Sequence, residues 1–242
     1  MNLDCYLFTN QGGRPGNQDA VGMREIDMGG VFAVADGLGG HQRGEQASQC
    51  VVDTLLCDDN SVSAQDLLSW LTEKISQANA NVLQLQTAQN AQMKSTVVAL
   101  AISGYRAAWA NVGDSRLYYL HNRRVEQMTE DHSVAYKKYK AGEICKAEIG
   151  ADEDQPSLLR ALGNVERSKA DGDCLKNDLT NGDGFLLCSD GFWEYVLDEE
   201  ILVDYLKADS AQMWGELLLT RAMERIQPGN DNLSLITVLV QS

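Results

Sequence analysis

Apolar runs that break abruptly at Asp and Gly set the pattern of this 242-residue chain. Residues 31–35 read Val-Phe-Ala-Val-Ala and stop at Asp36-Gly37-Leu38-Gly39-Gly40-His41, which predicts a buried strand ending in a tight loop. The same grammar recurs where the run 185–188 meets Ser189-Asp190-Gly191, and in reverse where Pro228-Gly-Asn-Asp-Asn232 precedes the apolar run 233–240. A first strand is predicted at 3–9, and 95–102 with 106–112 reads as a hairpin turning at Gly104-Tyr105. After Gly113-Asp114-Ser115, the short runs 116–120 and 124–128 are joined through His121-Asn122. Successive short strands with short turns predict an antiparallel meander with helices packed outside it.

Helices are predicted in five places. Ala47, Val51 and Leu55 share one face of a helix predicted at 44–57, before Asp58-Asp59. A longer helix carries Leu67, Leu71, Ile75, Ala78, Val82 and Leu85 at steps of three and four, with Ser63 as its expected cap. Thr129-Glu130-Asp131-His132 is expected to open a helix that runs through Tyr139 and ends at Gly142, and a short helix is expected at 193–197. The last, at 211–226, places Trp214, Leu218 and Ala222 on one side before Pro228-Gly229 stops it. Residues 129–163 are otherwise a long charged excursion, which reads as a functional loop or lid. Lys137, Lys138, Lys140 and Lys146 cluster in it, either to guide an anionic substrate or to balance neighbouring acids.

Composition narrows the function. One domain over 1–242 is expected, with 44% apolar and 23% charged residues as in an ordinary globular protein. Thirty-five acidic residues against 20 basic give a formal charge of −15, which argues against nucleic-acid and anionic-membrane partners. The six cysteines form no Cys-x-x-Cys pair and read mostly as core fillers. No secretory signal and no transmembrane-length run is visible, so a cytoplasmic location is expected.

Asp-Gly and Asn-Asp are common turn dipeptides, and any one of them alone reads as a turn. Asp36, Asp114, Asp190 and Asp231, each in a loop abutting a strand, call for a joint explanation. Oxygen-rich sites with few His or Cys partners suit Mg²⁺ or Mn²⁺. Two such ions roughly 3.5 to 4 Å apart can lower the pKa of a shared water and clamp a phosphoryl oxygen. Arg14, in the loop Arg14-Pro-Gly-Asn-Gln-Asp-Ala20, offers a guanidinium fork for phosphate, or a plain surface charge. Together these parts describe a metal-dependent phosphoester hydrolase.

In order along nearly the whole chain, Arg14-Pro-Gly-Asn-Gln-Asp-Ala20, Val34-Ala-Asp-Gly-Leu-Gly-Gly-His41, Ser95-Thr-Val, Ala110-Asn-Val-Gly-Asp-Ser-Arg116, Leu159-Arg-Ala-Leu-Gly163, Cys188-Ser-Asp-Gly191 and Asp231-Asn232 carry a family likeness. The chain resembles the metal-dependent protein serine/threonine phosphatases of type 2C, the PPM family, in their compact bacterial form. The resemblance implies an α+β fold: a four-layer α-β-β-α sandwich of two mainly antiparallel sheets between helices. It also implies that Asp36 bridges two metals, that the Gly37 carbonyl joins the second, and that Asp190 and Asp231 complete the first. Asp114, with Asp190, would hold a third ion, Asp19 would act through metal-bound water, and Arg14 would grip the substrate phosphate. The segment 132–162, with His132, Lys137, Lys138 and Gly142, corresponds to the family's variable flap and is expected to modulate substrate choice.

Two departures from the family pattern matter. Leu38 stands where eukaryotic members place a His able to protonate the leaving group, and Gln18 replaces a frequent Glu. His41 lies nearby without an assigned role. The expected chemistry is in-line attack by a metal-bridging hydroxide on phosphoserine or phosphothreonine, with Arg14 and the ions offsetting charge and no phosphoenzyme. A monomer acting on phosphorylated proteins, in opposition to a Ser/Thr kinase on a separate chain, is the expected setting. Two alternatives remain: a pseudophosphatase that only binds phosphoproteins, and a phosphatase of a small phosphometabolite.

Overall fold

Side chains of an extended strand alternate between its two faces, so an unbroken apolar strand needs apolar surroundings on both. The computed structural model, which describes residues 1–39, 42–57 and 66–241 (of Gln42 the backbone alone), meets that demand with two sheets packed face to face. One sheet takes β1 (Asn2–Asn10), β7 (Arg116–His121), β8 (Arg124–Gln127), β10 (Gly184–Cys188) and β11 (Leu233–Gln241), in the order β1-β11-β10-β7-β8. The other takes β2 (Asp19–Ile26), β3 (Gly29–Leu38), β5 (Val97–Ser103), β6 (Arg106–Val112) and β9 (Asp171–Cys174), in the order β2-β3-β5-β6-β9, with β4 (Lys94–Ser95) beside β3. All of these pairings are antiparallel.

The alternation sorts the core into three layers. Phe32 and Val34 of β3 meet Phe185 and Leu187 of β10 and Ile236 and Val238 of β11 between the sheets. Val31, Ala33 and Ala35, on the opposite face of β3, receive the helices α1 (Gln42–Leu56) and α2 (Leu67–Gln89) through Val51, Leu55, Leu71, Ile75 and Val82. Leu186, Cys188 and Leu235 face outward beneath α4 (Asp190–Trp193), α5 (Asp198–Lys207) and α6 (Ala211–Arg225), where Phe192, Trp214, Leu218 and Ala222 are buried. The result is the expected α-β-β-α sandwich.

Several expectations need correction. The predicted meander breaks at Gly113-Asp114-Ser115, where the chain leaves β6 for β7 in the other sheet. Gly113 makes this crossing with φ of +103°, and a Cβ there would lie 2.6 Å from the Thr96 side chain. Strand β3 continues through Asp36 to Leu38, and the apolar run at 95–102 is interrupted at Thr96. Thr129–His132 is not helical: α3 (Val134–Ala141) is capped by Ser133, whose hydroxyl accepts the Tyr136 N–H, and ends at Gly142 in the left-handed region. The short helix after Ser189 starts at Asp190 and ends at Trp193, earlier than expected, and residues 194–197 form a turn and irregular chain that lead into α5. The expected cap Ser63, the pair Asp58-Asp59 and His41 lie outside the described residues. Cysteines are not mostly core: Cys188 is buried, but Cys57, Cys145 and Cys174 are exposed.

Candidate metal centre

The Asp-bearing loops meet at one end of the two sheets. Antiparallel pairing of β2 with β3 sets Asp19 directly opposite Asp36, an arrangement of like charges that destabilises a sheet unless something neutralises it. Asp36 is held by its backbone: its N–H donates to Thr96 Oγ1 at 2.9 Å and its carbonyl accepts the Thr96 N–H at 2.8 Å. The same Thr96 hydroxyl lies 2.8 Å from Ser115 Oγ, which ties the Asp36 strand to the Gly113-Asp114-Ser115 crossing.

Asp190 and Asp231 arrive from the other sheet. A Cβ on Gly191 would fall 2.0 Å from the Asn232 carbonyl oxygen, so the two loops touch backbone to backbone. Ser189, just before Asp190, donates its hydroxyl to Asp19 Oδ2 at 2.8 Å. Arg14 extends from its loop to donate from Nη2 to Asp231 Oδ2 at 2.7 Å, both side chains being about half exposed. Asn232 clamps that loop, accepting the Gln18 N–H at 2.7 Å and donating to the carbonyls of Gln11 and Gly16 at 2.8 and 2.9 Å.

Electrostatics set this cluster apart. Burial, opposed by serine hydroxyls and reinforced by Asp190 and Asp231, pushes the Asp19 carboxyl up to about 7. Asp36 is driven well above the carboxylate range by burial and then by Asp190, Asp19, Asp114 and Asp231. Asp114 is raised by burial, Asp190 and Asp131, and Asp190 by burial and Asp231. Asp36 and Asp190 are packed within protein yet keep some solvent-exposed surface. Asp114 Oδ1 is fully enclosed and has no hydrogen-bond partner among the described residues.

Buried carboxylates that repel one another, one with an orphaned oxygen, are what a hard cation would neutralise. Among the described residues, no three His, Cys, Asp or Glu side chains close a cage around one point. Mg²⁺ and Mn²⁺ tolerate that, since they keep several waters and take only a few carboxylates. The donor set therefore fits divalent cations, with Asp36, Asp114, Asp190 and Asp231 able to hold them and Asp19 placed behind Asp36. Gly37, expected to contribute its carbonyl, packs so closely on α1 that a Cβ would lie 2.1 Å from the Gly44 carbonyl.

The predicted flap residues divide differently. His132 is buried, accepting the Gly113 N–H on Nδ1 at 3.1 Å, and so fastens the root of the excursion beside Asp114. Gly142 ends α3. Lys138 pairs with Asp152 and Asp154, Lys140 with Glu130, and Lys146 with Asp198; these three balance acids, whereas Lys137 stays exposed. The flap residue that does reach the cluster is Gln155, whose Nε2 donates to Asp190 Oδ2 at 3.2 Å.

Gln155, Thr96 and Ser189 were not singled out by spacing, and neither was Glu194. Its carboxyl is pushed up to about 8 by burial and by Asp190 and Asp231, against Arg116 and Arg14. Gln18, in place of a Glu, is structural: its Nε2 donates to the Gly39 carbonyl at 2.8 Å and its own carbonyl accepts the Gly37 N–H.

A family model described as protein phosphatase 2C matches residues 11–226. The chain belongs to the protein phosphatase 2C family. It is accordingly a serine/threonine protein phosphatase of the metal-dependent class. The serine/threonine phosphatase stp of Listeria welshimeri is 34% identical over 229 residues, covering 88% of each protein. The crystal structure of Stp1 from Staphylococcus aureus superposes with a TM-score of 0.86 at 28% identity, over 100% of this chain and 96% of that one. The catalytic domain of PstP, crystallised with two manganese ions, superposes with a TM-score of 0.84 at 28% identity over 99% of both chains. Among the described residues, no helix of this family member is long and apolar enough to cross a membrane.

Proposed function

We propose that this chain hydrolyses phosphoserine and phosphothreonine on proteins at a centre of two, or three, Mn²⁺ or Mg²⁺ ions held by Asp36, Gly37, Asp114, Asp190 and Asp231. The observation that carries the reading is the convergence of buried, mutually repelling carboxylates from both sheets on one rim. Manganese in the related PstP structure supports it. When bound, such ions supply Lewis-acid charge neutralisation and a water of lowered pKa that can attack phosphorus.

The chain's own residues do the rest. Arg14 stands at the open edge with a planar fork suited to two phosphoryl oxygens, and its bond to Asp231 aims it at the cluster. Thr96 and Ser95 keep the Asp36 backbone in register, Ser95 Oγ donating to the Asp36 carbonyl at 3.0 Å. Asp19, behind Asp36 and held by the Ser189 hydroxyl, would act on the centre through metal-bound water. Leu38 ends β3 opposite Lys94 and offers no acid to the leaving group. One domain spans the chain, and residues 132–162 act as its substrate-selecting flap. A monomer in the cytoplasm, opposed by a Ser/Thr kinase on another chain, completes the reading.

The test is release of phosphate from a phosphothreonine peptide by purified protein with Mn²⁺, with Mg²⁺ and with chelator. Metal-dependent release is expected, and Asp36→Ala and Asp190→Ala are each expected to lose it by roughly a thousandfold or more. A folded protein that releases nothing with either metal would favour the phosphoprotein-binding alternative. Preference for a small phosphometabolite over the peptide would favour the other.

A further inference from the structure

An acidic protein repels acidic polypeptide from most of its surface. With a formal charge of −15, a local positive surplus is therefore informative. Lys137, Lys140, Arg160, Arg167 and Lys169 all line one cleft of about 420 Å³ beside the flap. Four acids line it as well, but three of them are taken. Asp131 is bound by the buried Arg116, Glu130 by Lys140 at 2.6 Å, and Asp171 by Arg160 at 2.8 Å. What remains is Glu166 facing Lys137, Arg167 and Lys169, three exposed cations that make no ion pair among the described residues.

The cleft is built rather than incidental. Asn164 Oδ1 accepts the N–H groups of Glu166 and Arg167 at 3.1 and 3.3 Å, and the Ala161 N–H donates to the Arg167 carbonyl at 3.0 Å. Asn79 of α2 fixes the same loop from behind, donating to the Asn164 carbonyl and accepting the Gly163 N–H. Its far wall is α3. The floor includes His132, which hydrogen-bonds Gly113 through both backbone and ring. Asp114 follows Gly113 in the chain, so the cleft's floor is tied to the acid cluster one residue away.

We propose that this cleft docks Asp and Glu side chains flanking the phosphorylated residue of a substrate polypeptide, so that the enzyme selects acidic phosphosites. The proposal rests on the protein phosphatase reading and adds the class of substrate. Uncommitted cations next to a phosphate-handling centre, on an otherwise negative surface, provide the charge complementarity. A neutral or basic flank gains nothing there.

The experiment compares kcat/KM of the full chain with Mn²⁺ on phosphothreonine peptides with acidic, neutral or basic flanks, with an aryl phosphate as control. Wild type is expected to favour acidic over neutral flanks by about tenfold, mainly through KM. Raising salt from about 0.05 M to about 0.5 M should erase that preference. Arg167→Gln/Lys169→Gln should remove most of it and Arg167→Glu/Lys169→Glu should invert it toward basic flanks, both leaving aryl phosphate turnover unchanged. Equal turnover of all three peptides by wild type, or an unaltered preference in the charge-reversed variant, would overturn the docking proposal and leave the phosphatase reading standing. Hydrolysis of the aryl phosphate with none of any peptide would overturn both.

Discussion

Two groups of buried charge lie side by side in this protein, and they are built on opposite terms. Arg116 and Asp131 are almost completely enclosed, with side-chain exposures of 5% and 0%. Arg116 donates from Nε and Nη2 to both Asp131 oxygens at 2.7 to 3.1 Å and from Nη1 to Tyr118 Oη at 3.2 Å, and its guanidinium stacks 3.4 Å from the Trp193 ring. Gln127 adds a bond to Asp131 at 3.2 Å. Among the described residues, the aspartate cluster next door has no ion pair other than that of Arg14 at its rim, and Asp114 Oδ1 has no hydrogen-bond partner. Charge that the fold neutralises itself is architecture; charge that it gathers and leaves uncompensated is a site awaiting a ligand from solution.

The comparison breaks most sharply at Arg116. Arg116→Ala should leave Asp131 buried without its ion-pair partner and cost roughly 3–5 kcal/mol of stability, read as a lowered denaturation midpoint with Mn²⁺ present or absent. The contact from Trp193 Nε1 to the Asp114 carbonyl, at 2.9 Å, would lose its stacking partner as well.

A second effect comes from pH. Carboxyls whose folded-state pKa is raised bind more protons folded than unfolded, so their contribution to stability falls as pH rises through the raised values. Asp19, near 7, with Asp36, Asp114 and Asp190 also raised, should make metal-free protein lose stability steadily between about pH 5 and pH 8. Urea titrations in chelator measure the slope. Asp190→Asn should flatten it, whereas an equal slope in that variant would place its origin outside the cluster.

How much of this was legible in the sequence depends on how local each cause is. Strands β3, β10 and β11 announced themselves because both faces are covered and the apolar run is continuous. The sheet switch at Gly113 was not legible, since a turn within one sheet and a crossing between two use the same Gly-Asp-Ser residues. Strand β9 was missed because all four of its residues are exposed. In α5, only Ile201 and Asp204 are buried. The loop aspartates were readable from Asp-Gly punctuation. Their electrostatic condition was not, because it depends on the Asp19–Asp36 register and on Ser189 and Gln155 arriving from far along the chain.

Gln155 offers the smallest and most local test. Its side-chain hydrogen bond ties the flap to Asp190, so Gln155→Ala should lower peptide turnover by about three- to tenfold, about 1 kcal/mol, with little change in the denaturation midpoint. A loss of stability as large as that of Arg116→Ala would show that this contact belongs to the architecture.

The most direct measurement is thermal unfolding of wild type and Asp36→Asn, each in chelator and in Mn²⁺. Removing one of five crowded carboxylates should make the metal-free variant unfold at a higher temperature than wild type, while Mn²⁺ should stabilise wild type far more than the variant. A metal-free variant less stable than wild type, or equal stabilisation of both proteins by Mn²⁺, would contradict the claim that this cluster is held together for a cation.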